Sequence, residues 1–246
     1  MRLDQKRVIV TGAASGFGIG IAQKFVAEGA RVMVVDINAK GAAKVAAELG
    51  HGAIAQACDV GNPDDVAAMR RAAEDAWGGV DIIVNNAGVT HMPTPLEEVS
   101  EDDFDRVFRI NCKSIYLIAK EFVPVMARGA NIVNVASTAG LSPRPKLNWY
   151  NASKGWVITA TKAMAVELAP RGIRVNALCP VAGDTPLLAS FMGEDTPDMR
   201  EKFLSTIPLG RFSTPEDMGN AACYLASDEA AMITGVAMDV DGGRCI

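Results

Sequence analysis

The chain has 246 residues, 49% of them hydrophobic and 22% charged, and carries a formal net charge of −5. That length allows one α/β domain a large core, while the acidic balance and the lack of any basic block leave no electrostatic footprint for nucleic acid or an anionic membrane. Five scattered cysteines (Cys58, Cys112, Cys179, Cys223, Cys245) form no C-x-x-C pair, and with only His51 and His91 beside them they make a structural metal site an unsuitable reading.

The N-terminal "MRLDQKRVIV" has no apolar run of the signal-peptide kind, and no stretch approaches 18 continuous apolar residues. The expectation is a cytoplasmic protein that keeps its thiols reduced and does not enter a membrane. "RVIV" (7–10) reads as a first strand, followed by a glycine-rich turn and the helical "IAQKFVAEG". "RVMVVD" (31–36) leads into "AKGAAKVAAELG", and "AIAQACDV" into the capped helix "NPDDVAAMRRAAEDAWG". "VDIIVN" (80–85) precedes a long helical segment predicted from about Glu101 to Met126. "NIVNVAS" (131–137), a helix carrying "YNASK", "IRVNAL" (173–178) and a last strand "VAMDV" complete the series. Such apolar, β-branched runs are strands buried on both faces, as in a parallel sheet covered by helices. The βα rhythm continues without a linker through 1–246, which predicts one domain. It is interrupted at about 184–210 by a proline-punctuated insertion, read as a lid over a substrate.

Directly after the first strand, "TGAASGFGIG" (11–20) places Gly12, Gly16 and Gly18 at the opening of a helix. Glycines there permit a tight turn and let a pyrophosphate reach free N–H groups at the helix start. The second strand ends at Asp36, whose carboxylate can accept from adenosine ribose hydroxyls and repels a 2′-phosphate; no Arg or Lys occupies 13–15 or 37–38. This favours NAD over NADP, the other reading being an ordinary strand-end turn residue. "YNASK" (150–154) taken alone is a half-buried tyrosine and a solvated lysine.

Together these segments resemble the short-chain dehydrogenase/reductases over essentially the whole chain. The matching motifs are T-G-x(3)-G-x-G (Thr11 to Gly18), Asp59-Val60, "NNAG" (85–88), Asn111, Ser137, Tyr150 and Lys154, with Ser137 preceding Tyr150 by 13 residues. The resemblance implies a Rossmann fold with a doubly wound seven-stranded parallel sheet, ordered 3-2-1-4-5-6-7, with helices on both faces. It implies NAD(H) across the strand ends, held by Gly12, Ser15, Gly16, Phe17 and Gly18, with Asp59 and Val60 at the adenine. Asn86 and Gly88 would lie along the cofactor, and Thr185 would meet the nicotinamide amide. Three departures stand out: Phe17 between the second and third glycines, Gly20 in the first helical turn, and Val181 after Pro180, which moves the expected glycine to Gly183.

The family chemistry explains the paired tyrosine and lysine. At i and i+4 they share a helix face. Free tyrosine titrates near ~10, so a base useful near neutrality needs roughly 4 kcal/mol, about what an ammonium ~4 Å away supplies at an effective dielectric of ~20. Ser137 would bond the substrate oxygen, and Asn111, by resemblance, would hold a water linking Lys154 to solvent. Trp149 and 141–148 should wall the pocket, and Met192 could pad it. His91, Arg144 and Lys146 could touch substrate, or be ordinary loop residues.

The function so implied is interconversion of a secondary alcohol and a ketone on a small molecule. The alternatives are a 3-oxoacyl-[acyl-carrier-protein] reductase, with Arg128 and Arg171 docking the acidic carrier, and a non-catalytic NAD-sensing module. The nearly all-apolar helix after Lys154 and the family's pairing of it across an interface predict a homotetramer.

Overall fold

Runs of apolar residues become strands wherever a helix covers both sides. In the computed structural model, which describes residues 1–193 and 195–246, these are β1 (Arg7–Thr11), β2 (Arg31–Asp36), β3 (Ile54–Ala57), β4 (Ile82–Asn85), β5 (Asn131–Val135), β6 (Arg174–Pro180) and β7 (Ala237–Val240). All pair in parallel in the order 3-2-1-4-5-6-7, with Val10 registered against Val34 on one side and Val84 on the other. The central β4 and β5 are buried throughout, whereas the edge strands β3 and β7 are half exposed. Asparagines inside the sheet are paired: Asn85 donates to Asn134 (2.8 Å), and Asn134 donates to Thr161 (2.9 Å).

Helices α1 (Gly16–Ala27), α2 (Ala39–Leu49) and α3 (Pro63–Trp77) follow the first three strands, and their ends are written in the sequence. Asn38 and Asn62 cap α2 and α3, Pro63 opens α3, and Gly78 ends it in the left-handed region at φ +72°. The segment predicted as one helix from Glu101 to Met126 is instead α4 (Glu101–Phe108), a π-helical turn (Arg109–Lys113), α5 (Ser114–Phe122) and a 3-10 turn at Pro124. A π turn adds a residue to the coil and re-aims the side chains it carries; here it carries Asn111.

Helix α6 (Asn148–Leu168) holds Tyr150 and Lys154. The predicted insertion contains α7 (Leu188–Met192) and α8 (Pro197–Leu204), and its neck is closed by backbone pairing of Gly183 with Ser213. Helix α9 (Pro215–Ala226) starts with a capping box of Thr214 and Asp217. Gly20, one of the departures from the family pattern, brings α1 against α9: a Cβ there would strike the Pro215 backbone, and one on Gly219 would lie 2.6 Å from the Gly20 carbonyl. The core has a layer on each side of the sheet, one around Ile21, Phe25 and Met218, the other around Met69, Phe122 and Leu117.

Candidate active site

The strands end along one cleft of about 570 Å³ that runs from Asp36 to Tyr150. Its first wall is the loop from β1 to α1, where Gly12 (φ +63°) and Gly16 (φ +54°) adopt conformations that side chains disfavour. A Cβ on Gly12 would lie 2.8 Å from the Ala87 Cα, and one on Gly18 would strike the Gly12 carbonyl. Gly18 does not line the cleft; it lies behind the loop and lets the loop fold down. Unlike α3, α4 and α9, α1 begins with no side-chain cap and no acid in its first turn. Its N–H groups are thus left for an anion, and the loop fits a dinucleotide's phosphate bridge.

The remaining expected cofactor residues, Ser15, Phe17, Asp36, Asp59, Val60, Asn86, Gly88 and Thr185, all line the cleft. Several are also structural. Asp36 accepts from the Ala14 amide (3.0 Å) and the Asn38 amide (2.9 Å), so it serves both as a turn former and as a cleft carboxylate. Asp59 accepts from Arg109 Nη1 at 2.7 Å and from the Gly61 amide; against the upward push of burial, these hold its carboxyl below the usual range. Asn86 donates to the carbonyls of Thr11 (2.8 Å) and Gly12 (3.0 Å), pinning the glycine loop. The departures at 17 and 183 fit each other, because a Cβ on Gly183 would overlap the Phe17 ring. Thr185 sits beside Gly16, with its Cβ 3.4 Å from where a Gly16 Cβ would be.

At the other end, Ser137, Tyr150 and Lys154 converge, and Tyr150 and Lys154 are each only 5% exposed. The approach depends on two residues the sequence reading passed over: Gly140, where a Cβ would lie 2.7 Å from the Lys154 carbonyl carbon, and Gly155, which faces the Gly140 oxygen. They let the loop after β5 pack on the α6 backbone. Ser137 Oγ accepts from the Ala139 amide (3.1 Å), and Lys154 Nζ donates to the Val135 carbonyl (2.9 Å). Burial pushes the Tyr150 phenol up to about 12, opposed by hydrogen bonding with Ser137 and the charge of Arg144. The same burial pushes Lys154 down to about 8.

Lys154 Nζ is 5.9 Å from the Tyr150 ring centroid and hydrogen-bonds the backbone instead.

Asn111 is behind the cleft wall, 2% exposed. Its Oδ1 accepts from the Val89 amide (2.9 Å), and its Nδ2 donates to the Val89 carbonyl and to Ser153 Oγ (both 2.9 Å). Its Oδ1 and Lys154 Nζ face each other across Gly88, 3.4 and 3.3 Å from a Cβ built there. His91 is 1% exposed, its Nδ1 is 2.8 Å from the Met92 carbonyl, and it is not in the cleft wall. Lys146 is exposed and outside the cleft, and Trp149 packs edge-on to Phe104 (5.4 Å) rather than walling the pocket. Arg144 does line it. From the insertion, Phe191 rather than Met192 meets the tyrosine, ring to ring at 5.1 Å, and Phe203 and the C-terminal Arg244 complete the wall. The only sequence signal for Arg244 is the Gly-Gly turn before it. Among the described residues, no group of three or more His, Cys, Asp or Glu could hold a metal, and no helix is long and apolar enough to cross a membrane.

This sheet order, with a glycine loop at one end of the cleft and serine, tyrosine and lysine at the other, defines a class of nucleotide-dependent oxidoreductase. The chain belongs to the short-chain dehydrogenase/reductase family: the family profile described as enoyl-(acyl carrier protein) reductase matches residues 12–244. It is 50% identical to the 4-formylbenzenesulfonate dehydrogenase of Comamonas testosteroni over 252 residues, covering 100% of both chains. It is 37% identical to the galactitol 2-dehydrogenase of Agrobacterium fabrum, covering 99% of each. Among solved structures, 3-ketoacyl-(acyl-carrier-protein) reductase from Brucella melitensis complexed with NADH superposes with a TM-score of 0.93 at 47% identity, covering 99% of this chain and 100% of that one.

Proposed function

We propose that the protein is an NAD(H)-dependent oxidoreductase that interconverts a secondary alcohol and a ketone, with Tyr150 as general acid and base. The observation that carries this is the placement of Ser137, Tyr150 and Lys154 at one end of a cleft whose other end is Asp36. A bound nicotinamide would supply the hydride acceptor or donor and, when oxidised, a positive ring near the phenol. Ser137, oriented by the Ala139 amide, hydrogen-bonds the substrate oxygen, and Tyr150 takes the hydroxyl proton in oxidation and returns it in reduction. Lys154 favours the phenolate, and the water relay implied by resemblance belongs at Gly88, where Lys154 and Asn111 face each other.

Asp36 supports NAD over NADP, and Arg109 in the same cleft wall is already paired with Asp59. The insertion serves as the lid, since Phe191 and Phe203 reach the wall from α7 and α8. A homotetramer accords with the exposure of Tyr116 on α5 and of Trp156 and Val166 (79% exposed) on α6; sedimentation at the monomer mass would remove it.

The second reading is a 3-oxoacyl-[acyl-carrier-protein] reductase, favoured by the names of the Brucella structure and of a 38% identical relative from Thermotoga maritima. Against it, Arg128 and Arg171 donate to backbone carbonyls, Arg128 to Pro170 and Arg171 to Val123 and Met126, in local roles that need no carrier. Initial rates with NAD+ and NADP+ on secondary alcohols, polyols and 3-hydroxyacyl thioesters, run beside Tyr150→Phe, decide between them. NAD-linked oxidation of an alcohol, abolished in the variant, is expected. Turnover confined to thioesters with NADP would replace this reading with the second, and NAD binding without any turnover would leave a sensor.

A further inference from the structure

Two arginines in the cleft wall have no carboxylate partner among the described residues. Arg106 is paired with Asp103 and Arg109 with Asp59, but no carboxylate among the described residues pairs with Arg144 or Arg244. Among the described residues, the acids lining the cleft are Asp36 and Asp59, at the far end. Arg144 lies over the Phe203 ring, 4.5 Å from its centroid, and is near enough to Arg244 for the two positive charges to act on each other. Two guanidinium groups that repel each other beside aromatic rings are an unfavourable arrangement without an anion.

The fold nevertheless holds both. The side chain of Asn151, adjacent to Tyr150 on α6, donates to the Arg144 carbonyl at 2.7 Å, so one helical turn positions the phenol and the arginine loop together. Arg244 follows Gly242 (φ +63°) and Gly243 (φ +88°) in a turn closed by the buried Asp241, which accepts from the amides of Gly243 (2.9 Å) and Cys245 (2.8 Å). Phe191, ring to ring with the tyrosine, and Phe203, under Arg144, supply apolar surface on the same wall.

We infer that Arg144 and Arg244 form an anion subsite at the substrate end of the cleft, and that the substrate is an alcohol or ketone with an apolar, ring-sized body bearing a carboxylate or sulfonate. The oxygen to be reacted sits at Ser137 and Tyr150 and the acid group at the arginines, whose planar forks suit both oxyanions. This rests on the dehydrogenase reading above for the reaction, but the subsite can be tested without turnover.

The test is calorimetric binding of 4-acetylbenzoate, 4-acetylbenzenesulfonate and the neutral 4-acetylbenzamide to the protein with NADH, alongside NADH oxidation by the same ketones. Charge-assisted contacts predict that an anion binds about tenfold to a hundredfold tighter than the amide. That ratio should collapse in Arg144→Gln with Arg244→Gln and be partly rescued by lysine at both positions. The relative affinity of carboxylate and sulfonate tells which oxyanion the site prefers. Equal affinity for anions and amide, a preference that survives the double glutamine variant, or failure of both anions to bind at millimolar concentration overturns the subsite. Anion-selective binding without reduction of any ketone would keep the subsite and count against the dehydrogenase reading. Equal reduction of all three would do the reverse.

Discussion

Burial of Lys154 permits a test in which catalysis plays no part. Its ammonium donates to the Val135 carbonyl, no carboxylate among the described residues pairs with it, and burial lowers it to about 8. In the unfolded chain a lysine keeps its proton up to ~10.4. Below pH 8 both states are charged, and the folded state bears the whole desolvation cost, about 3 kcal/mol. Above pH 8 the folded state releases its proton first, so the unfolded state holds more protons and stability rises with pH. About 2.5 kcal/mol of the cost is recovered between pH ~7 and ~10. Lys154→Met has no such titration. Urea denaturation of both proteins without cofactor, across that range, should show the stability of the variant relative to wild type falling by about 2 to 3 kcal/mol as pH rises. Groups away from Lys154 titrate alike in both proteins and cancel, and burial pushes the neighbouring Cys112 and Cys179 thiols up to about 11 and about 12, above that range. A difference that is constant, or that grows with pH, would refute the view that Lys154 is a buried, unpaired ammonium.

Three further outcomes follow from the geometry. Because burial pushes Tyr150 up to about 12, an ultraviolet difference titration of wild type against Tyr150→Phe without cofactor should show no ionisation of this phenol below pH ~11; a phenolate signal at neutral pH would contradict the burial argument. Gly183→Ala should cost about 1 to 3 kcal/mol against the Phe17 ring, and markedly less in a Phe17→Leu background; equal costs in the two backgrounds by urea denaturation would show that the residues do not pack. Asp36→Ala should cut the preference for NAD over NADP by about tenfold to a hundredfold in kcat/KM, since it removes both a ribose acceptor and a repelling charge; an unchanged ratio would place cofactor choice elsewhere.

Local signals in the sequence were enough for the strands, most helix ends and the cofactor loop. Asn62-Pro63 and Gly78 mark α3 by capping chemistry that needs no distant partner. Gly12 and Gly16 are glycines because their backbone angles demand it. The order of motifs from Thr11 to Lys154 determined the family, and with it the sheet order. What the chain could not show locally was contact between residues far apart. The break at Asn111 depends on Val89 and Ser153, the fit of Phe17 on Gly183, and the closeness of α1 and α9 on Gly20 meeting Pro215. None of these has a periodicity or a spacing. The electrostatics of the site belong to the same class: a spacing of four puts Tyr150 and Lys154 on one face, but only packing decides that both are buried and that the lysine bonds a carbonyl instead of the phenol. Arg144 reads from the sequence as a candidate substrate contact or an ordinary loop cation, and Arg244 has no signal beyond its Gly-Gly turn, until the fold sets the two, a hundred residues apart, on one wall. Desolvation and charge proximity are properties of three-dimensional surroundings, so sequence names the reactive groups, and tertiary structure decides their charge and company.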